Sequence, residues 1–190
     1  MNLTEPIRNK AHVRALLNFY LDRGHTRNYL LVCLGIHTAL RISDILALTT
    51  DHVYNFKKRE VRKTITITEK KTGKTKTVAL HKTVTAALAL ALPTAKPGQA
   101  LIRNSRTNKA LGRVQAWRII RAAAESLELP QNVSCHSLRK TFGYHSWRKG
   151  VSPAVLMEIF NHSSLKITQR YLGVSQDDQN AVYKALDFAA

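Results

Sequence analysis

Six consecutive residues, Tyr29-Leu30-Leu31-Val32-Cys33-Leu34, are apolar on every side. A helix built from them has no face to offer water and must run through the centre of a fold, with other elements wrapped around it. Thr26 stands where the N-cap of that helix is expected. Just upstream, Val13, Leu16, Leu17, Tyr20 and Leu21 fall at i, i+3, i+4, i+7 and i+8, and Gly24 follows. That spacing predicts an amphipathic helix that stops at the glycine and lays its apolar stripe on the central one. Downstream, Arg41 to Leu48 reads as a continuing helix. Ile42, Ile45 and Leu46 point one way and Arg41, Asp44 and Leu48 another, so Asp44 sits one turn from Arg41 and is placed to hold it.

The period then changes. From Val61 to Thr68 apolar and threonine residues alternate, with Val61, Ile65 and Ile67 on one face and Thr64, Thr66 and Thr68 on the other, which predicts a strand. Lys70-Lys71-Thr72-Gly73 is a turn, with Gly73 supplying a positive φ, and Thr75 to Leu80 returns as the partner strand. Gly73-Lys74-Thr75 ends like a phosphate-binding P-loop. That motif needs a glycine where Thr68 stands and a parallel βαβ unit around it, so an NTPase is excluded. Lys82 to Leu92 reads as an Ala/Leu-rich helix, Pro93 to Gly98 as a loop, and Leu101-Ile102 as a brief strand. Val114, Trp117, Ile120, Ala124 and Leu127 stripe a further helix, Leu138 and Phe142 anchor the next, and Ala181, Val182, Ala185 and Leu186 stripe a terminal one. The fold class is mostly α with a small antiparallel β-sheet (α+β), in one domain spanning 1–190, with 175–190 a helical tail that packs on its own domain or on a neighbouring protomer.

Thirty Lys and Arg stand against twelve acids, a formal charge of +18. Repulsion on that scale calls for a polyanion, nucleic acid first and an acidic membrane surface second. No apolar run reaches transmembrane length, and Met1 to Pro6 has no signal-peptide pattern. Two cysteines, one inside the central apolar run, make no disulfide framework, and a cytosolic chain is expected. The scattered histidines show no metal-ligand spacing, so no metal is expected. Arg103, Arg106, Lys109 and Arg113, in or beside a polar loop, and Lys140 suit phosphate contacts.

The residues that carry chemistry gather between His136 and Tyr171. His136-Ser137-Leu138-Arg139 puts an imidazole and a guanidinium on one helix face. Ser152-Pro153 is an N-cap and first turn, and Val155, Leu156, Ile159 and Phe160 are the buried stripe of the short helix that follows. Asn161 fits the left-handed position that closes it, which presents His162 at a helix end. A second short helix, Ser164 to Leu172, carries Tyr171 and stops at Gly173. Each residue alone has an ordinary explanation as a cap, a solvated charge or a core aromatic. Their combination and order are what point to a site.

This pattern resembles the tyrosine recombinases, the phage integrase family. Its members carry His-x-x-Arg, then a Gly-His-Ser/Thr turn, with a nucleophilic tyrosine nine residues after that histidine; here 171 − 162 is nine. Thr38-Ala39-Leu40-Arg41-Ile42-Ser43-Asp44 is similar to the family's earlier arginine motif, and Lys70-Lys71-Thr72-Gly73-Lys74 to its hairpin lysine. The resemblance implies a site-specific recombinase that cleaves and rejoins DNA through a 3′-phosphotyrosyl link, for integration, excision or inversion. It implies Tyr171 as nucleophile, Arg41 and Arg139 on the nonbridging oxygens, His136 as base, His162 as hydrogen-bond donor and Lys71 as general acid, with Asp44 supporting and Lys70 and Lys74 beside the DNA. It implies no cofactor and no metal, double-stranded DNA as partner, and a homotetramer on DNA from a monomer or weak oligomer. DNA-bending accessory proteins and a bacterial, phage or mobile-element origin, with the protein at the nucleoid, belong to the same expectation.

The family's usual N-terminal DNA-clamping domain is not in this sequence, which fits either a short member like the fimbrial-switch invertases or an excised catalytic domain. Ala39 and Asn161 stand where glycines are usual; the first is a minor change if that residue has helical geometry. The same constellation also serves type IB topoisomerases, and a basic, non-enzymatic DNA-binding regulator is the other reading. The filled catalytic set argues against the regulator, and the His162 motif and domain size against the topoisomerase.

Overall fold

The structure is a computed structural model in which residues 4–130, 132–174, 180 and 183 are described. The all-apolar run does form the centre. Helix α2 (Thr26–His37) is buried from Tyr29 to Ile36, and α1 (Lys10–Leu21), α5 (Lys82–Ala91) and α7 (Cys135–Trp147) pack around it. Asn9 caps α1 and Gly24 (φ +67°) turns the chain into α2. His25, not Thr26, is the cap position of α2, and it makes no side-chain cap bond.

The helix expected over Arg41 to Leu48 is only the single turn α3 (Ile42–Ile45). It cannot continue α2 because Ala39 is left-handed, φ +55°, which costs a non-glycine residue roughly 1–2 kcal/mol. The helical geometry that would have made this alanine a neutral change is therefore absent. After α4 (Thr50–Val53) the expected strand Val61 to Thr68 divides in two. Strands β1 (Tyr54–Asn55) and β2 (Glu60–Val61) pair as a small ribbon, and β3 (Thr64–Thr68) pairs antiparallel with β4 (Thr75–Ala79), Thr66 opposite Thr77. There are thus two two-stranded sheets among the described residues rather than one. Ile65 and Ile67 face the core while the threonines stay outside. Leu101-Ile102 is no strand; isolated bridges Thr49–Ala100 and Arg103–Ala110 bracket it.

Helix α6 (Arg113–Ser126) buries Ala116, Ile120, Ala123 and Ala124, so its core face is rotated from the expected stripe, and Val114 and Trp117 are exposed. Helices α8 (Pro153–Phe160) and α9 (Leu165–Leu172) follow. Ser152, Asn161 (φ +49°), Ser164 and Gly173 (φ +70°) bound them as expected, but Val155 is exposed and leaves Leu156 and Phe160 as the buried stripe. Two glycines set the position of α7. A Cβ on Gly35 would sit 2.5 Å from Leu138, and one on Gly143 would sit 2.8 Å from Phe160 and 2.9 Å from Leu172. These two close approaches wedge α7 between the central helix and the α8–α9 pair. Around the second lies a separate small core of Ala39, Leu156, Phe160, Tyr171 and Leu172. The terminal stripe of Ala181, Val182, Ala185 and Leu186 lies outside the described residues.

Candidate active site

Five of the six residues singled out meet around the C-terminal end of α8. A helix end leaves its last carbonyls without partners and carries partial negative charge, so it attracts cations. Helix α8 has no basic residue of its own in its last turn; the cations arrive from elsewhere. Arg41, just before α3, donates to the Phe160 carbonyl (3.2 Å), and Arg139 of α7 donates to the same oxygen (2.8 Å) and to the carbonyl of Ala39. Lys76 of β4 donates to the Ile159 carbonyl (3.2 Å). The left-handed Ala39 thus turns its carbonyl onto Arg139, and the guanidinium, 3% exposed, also lies over the Phe160 ring. Past Asn161, the His162 N–H closes back on Met157 (3.0 Å), the six-to-one bond of a left-handed cap.

Tyr171, three residues after the buried Thr168 on α9, projects its ring between two imidazoles. His136 and His162 each stand 4.9 Å from it, centroid to centroid, both edge-on. Its hydroxyl is buried and makes no well-formed hydrogen bond among the described residues. Burial raises its pKa to about 12, against the opposing pull of Arg139 and Arg41. Both histidines move the other way, to about 4: burial first, then Lys140, Arg139, Arg41 and Lys71 for His136, and Arg139, Arg41, His136 and Lys71 for His162. At neutral pH the centre therefore holds a protonated phenol and two neutral imidazoles among fixed cations.

The sixth residue, Lys71, is exposed on the hairpin turn. With Lys70 it lines one side of a cleft of about 1040 Å³ whose other walls include Arg41, His136, Arg139, Arg113 and Trp117. Lys74 faces a different hollow, beside His162 and Ser163. Arg106 and Lys109 lie exposed in the loop before α6, and Arg103 is tied to Gln99 (2.8 Å). Lys140 donates to the Thr4 carbonyl (2.6 Å) and sits 5.5 Å from the Tyr171 ring centroid, so it is occupied within the protein. Among the described residues no group of three His, Cys, Asp or Glu is placed to hold a metal ion.

The acid that holds Arg41 is not Asp44. Asp44, buried, accepts the Lys70 N–H (3.0 Å) and so anchors the hairpin. Arg41 is paired instead with Glu69 (2.7 Å), which is wholly buried and also binds Lys76 (2.9 Å), the Thr72 hydroxyl (2.8 Å) and the Asn161 amide (2.8 Å). Burial by itself would raise the Glu69 pKa, but Lys76, Asn161, Arg41 and Thr72 together bring it down to about 2. One carboxylate thereby joins a guanidinium, the lysine hairpin and the turn before His162. Sequence reading passed it over, although Glu69 continues the Ile65–Ile67 alternation onto the buried face. Val114 and Trp117, which helical spacing places on one stripe with Ile120, line the cleft instead of the core.

With the geometry in place, the chain compares with known proteins as follows. The model of the phage integrase family matches residues 9–177. The chain is 35% identical over 184 residues to the probable integrase/recombinase YoeC of Bacillus subtilis (strain 168), covering 97% of each. It is 29% identical over 164 residues to the tyrosine recombinase XerD of Corynebacterium glutamicum, covering 83% of this chain and 52% of that one, so it spans about half of this relative. Its fold matches the crystal structure of XerA recombinase at a TM-score of 0.75 with 21% identity, over 96% of this chain and 66% of that one. It also matches XerH site-specific recombinase bound to a palindromic difH substrate at 0.73 with 18% identity, over 96% of this chain and 53% of that one.

Proposed function

The chain belongs to the phage integrase family of tyrosine recombinases, and on that premise we propose that it cleaves and rejoins DNA at specific sites through a covalent 3′-phosphotyrosyl intermediate. The observation that carries this reading is the buried Tyr171 ring flanked by His136 and His162, with Arg139 and Arg41 acting on its hydroxyl. In the proposed reaction Tyr171 Oη attacks the phosphorus and His136 takes its proton. Arg41 and Arg139 hold the nonbridging oxygens, where charge builds, with charge-assisted hydrogen bonds, and His162 donates a further one. Lys71 gives a proton to the departing 5′ oxygen. The phosphotyrosyl bond retains the energy of the phosphodiester, so a second 5′ hydroxyl reverses the step without ATP or metal.

Strand exchange between two duplexes needs four such sites, and a homotetramer on DNA is part of the proposal, as is its use for integration, excision or inversion with or without DNA-bending partners. Lys70, Lys74, Arg106, Lys109 and Arg113 are proposed to meet phosphates around the cleft. The test is a nicked suicide duplex carrying candidate sites, on which the wild-type chain accumulates a covalent adduct. Tyr171→Phe keeps DNA binding and forms none, while Tyr144→Phe and Tyr183→Phe form it normally. Adduct from Tyr171→Phe would remove the assignment.

A further inference from the structure

His162 has two ring nitrogens, and at neutral pH only one of them carries a proton, since burial and the surrounding cations keep the ring neutral. Which one it is depends on the neighbour of the other. His162 Nδ1 lies 3.0 Å from the Oγ1 of Thr168, one turn before Tyr171 on α9 and wholly buried. A hydroxyl has a single proton to give. Among the described residues its other acceptor is the Ser164 carbonyl, a longer contact at 3.4 Å on an oxygen that also takes the Thr168 backbone N–H at 3.3 Å. The contact to Nδ1 is the shorter by 0.4 Å, and a hydroxyl proton directed there meets the Nδ1 lone pair and leaves the ring's own N–H on Nε2. Stacking on Phe160, 5.2 Å away and 28° from parallel, keeps the ring in the plane that makes this bond.

We propose that Thr168 is a positioning residue for His162: its hydroxyl donates to Nδ1 and fixes the tautomer whose proton is on Nε2, the nitrogen that donates to the phosphate. The role of the donated bond rests on the strand-cleavage reading; the tautomer does not. A neutral imidazole with its proton on Nδ1 would turn a lone pair towards an anion and repel it. Thr168 prevents that arrangement without adding charge to a site already rich in cations.

The test uses the full chain with Thr168→Val, which keeps the shape and loses the hydroxyl, and Thr168→Ser, which keeps the hydroxyl and loses a methyl. Single-turnover adduct formation on the nicked duplex is followed from pH 7.5 to pH 4, near which the ring takes its second proton. At pH 7.5 Thr168→Val should be slower by about 5–30-fold, the scale of one lost hydrogen bond, and Thr168→Ser within about threefold of wild type. As pH falls the Thr168→Val deficit should shrink, because a doubly protonated ring carries an N–H on both nitrogens and needs no partner to choose between them. A deficit that stays constant with pH, or a Thr168→Ser as impaired as Thr168→Val, would assign Thr168 to packing alone and overturn the proposal. Nitrogen-15 spectra of the histidine-labelled free protein, with the His162 signals assigned by their loss in His162→Gln, read the tautomer without any DNA. Nδ1 should appear as the unprotonated nitrogen in wild type, and a protonated Nδ1 would overturn the proposal whatever the chain does to DNA. The expected spectrum with no adduct would instead remove strand cleavage and leave the tautomer standing.

Discussion

Glu69→Gln replaces one oxygen by an amide and leaves the shape of the most connected side chain in the site almost unchanged. Its carboxylate is 0% exposed, and the two cations it pairs with, Arg41 and Lys76, are only 18% and 16% exposed. Removing one member of a fully buried pair costs about 3–5 kcal/mol, because the remaining charge is stranded. Here the stranded cations keep some solvent and both keep a carbonyl of α8, so we expect about 2–4 kcal/mol. For a chain of this length, at about 2–4 °C per kcal/mol, Tm should fall by about 4–16 °C. The pH dependence identifies the cause. Glu69 is held at about 2 when folded, below its ordinary value near 4.5. Its contribution is therefore complete above pH 4.5 and is lost as pH falls towards 2. The Tm gap between wild type and Glu69→Gln should be constant from pH 8 to pH 5 and close in more acid solution. Calorimetry across that range measures it, and adduct formation at a temperature where both proteins are folded shows whether Arg41 has moved. A variant that melts within about 1 °C of wild type and cleaves at its rate would refute the view of Glu69 as the joint between Arg41, the hairpin and the His162 turn.

The lysine assignment is tested by a leaving group that needs no acid: Lys71→Ala should cleave ordinary DNA about 10²–10⁴-fold slower and recover most of that on a 5′-bridging thio substrate. Arg41→Ala and Arg139→Ala should not recover, and selective rescue of Lys70→Ala or Lys74→Ala in its place would move the general acid. With +18 to place, DNA affinity should fall by about 10³–10⁵ between 50 and 200 mM salt if some 6–10 phosphates are neutralised, and a flat response in a binding titration would separate the charge from DNA. His136 and His162 are held near pH 4 when folded. The unfolded chain then takes up protons that the native one refuses, and stability should decline as pH drops from about 6.5 to 4. The double variant His136→Gln/His162→Gln should lose less Tm than wild type between pH 7.5 and 5, and an equal loss would contradict those shifts.

Helix ends were legible because they rest on local chemistry. Gly24, Ser152-Pro153, Asn161 and Gly173 each mark a boundary the structure keeps, and the threonine–isoleucine alternation gave β3 its faces. What escaped the sequence depends on contacts between distant segments. An alanine by its type gives no sign of a left-handed φ, although the resemblance puts a glycine there; it is held where its carbonyl meets Arg139, a hundred residues away. Val114 and Trp117 keep helical spacing with Ile120, but periodicity finds an apolar stripe without saying whether a core or a cleft wall covers it. Asp44 and Arg41 share a turn of chain, yet the guanidinium turns to Glu69, which also has Lys76, Thr72 and Asn161 to satisfy it. Asn161 shows both sides. Its left-handed φ was readable from residue type, while the hydrogen bond its side-chain amide donates to Glu69, which a glycine there would forgo, was not.

The protonation states of the free protein bear on when the proposed nucleophile becomes reactive. With a pKa of about 12, roughly one Tyr171 in 10⁵ is ionised at pH 7. Burial outweighs the guanidinium charges, so in the absence of DNA the phenol is nearly inert. An arriving phosphate cannot help by lowering that pKa, since its negative charge cancels part of the field of Arg41 and Arg139 and pushes the phenol further up. The same anion acts in the opposite sense on His136. Its pKa is near 4 because of burial first and then because Lys140, Arg139, Arg41 and Lys71 repel a proton, and a phosphate among them relieves the second of these and raises it. An imidazole rising towards the working pH is a better base in the transition state than one held at 4. The proton of Tyr171 should therefore leave as the bond to phosphorus forms, to a base that the substrate itself has tuned. It follows that His136→Gln should slow adduct formation at pH 7 by about 10²–10⁴-fold and leave a rate that climbs with pH up to the point of unfolding, as hydroxide takes over. A pH-independent residual rate in that variant would show that the tyrosine ionises by another route.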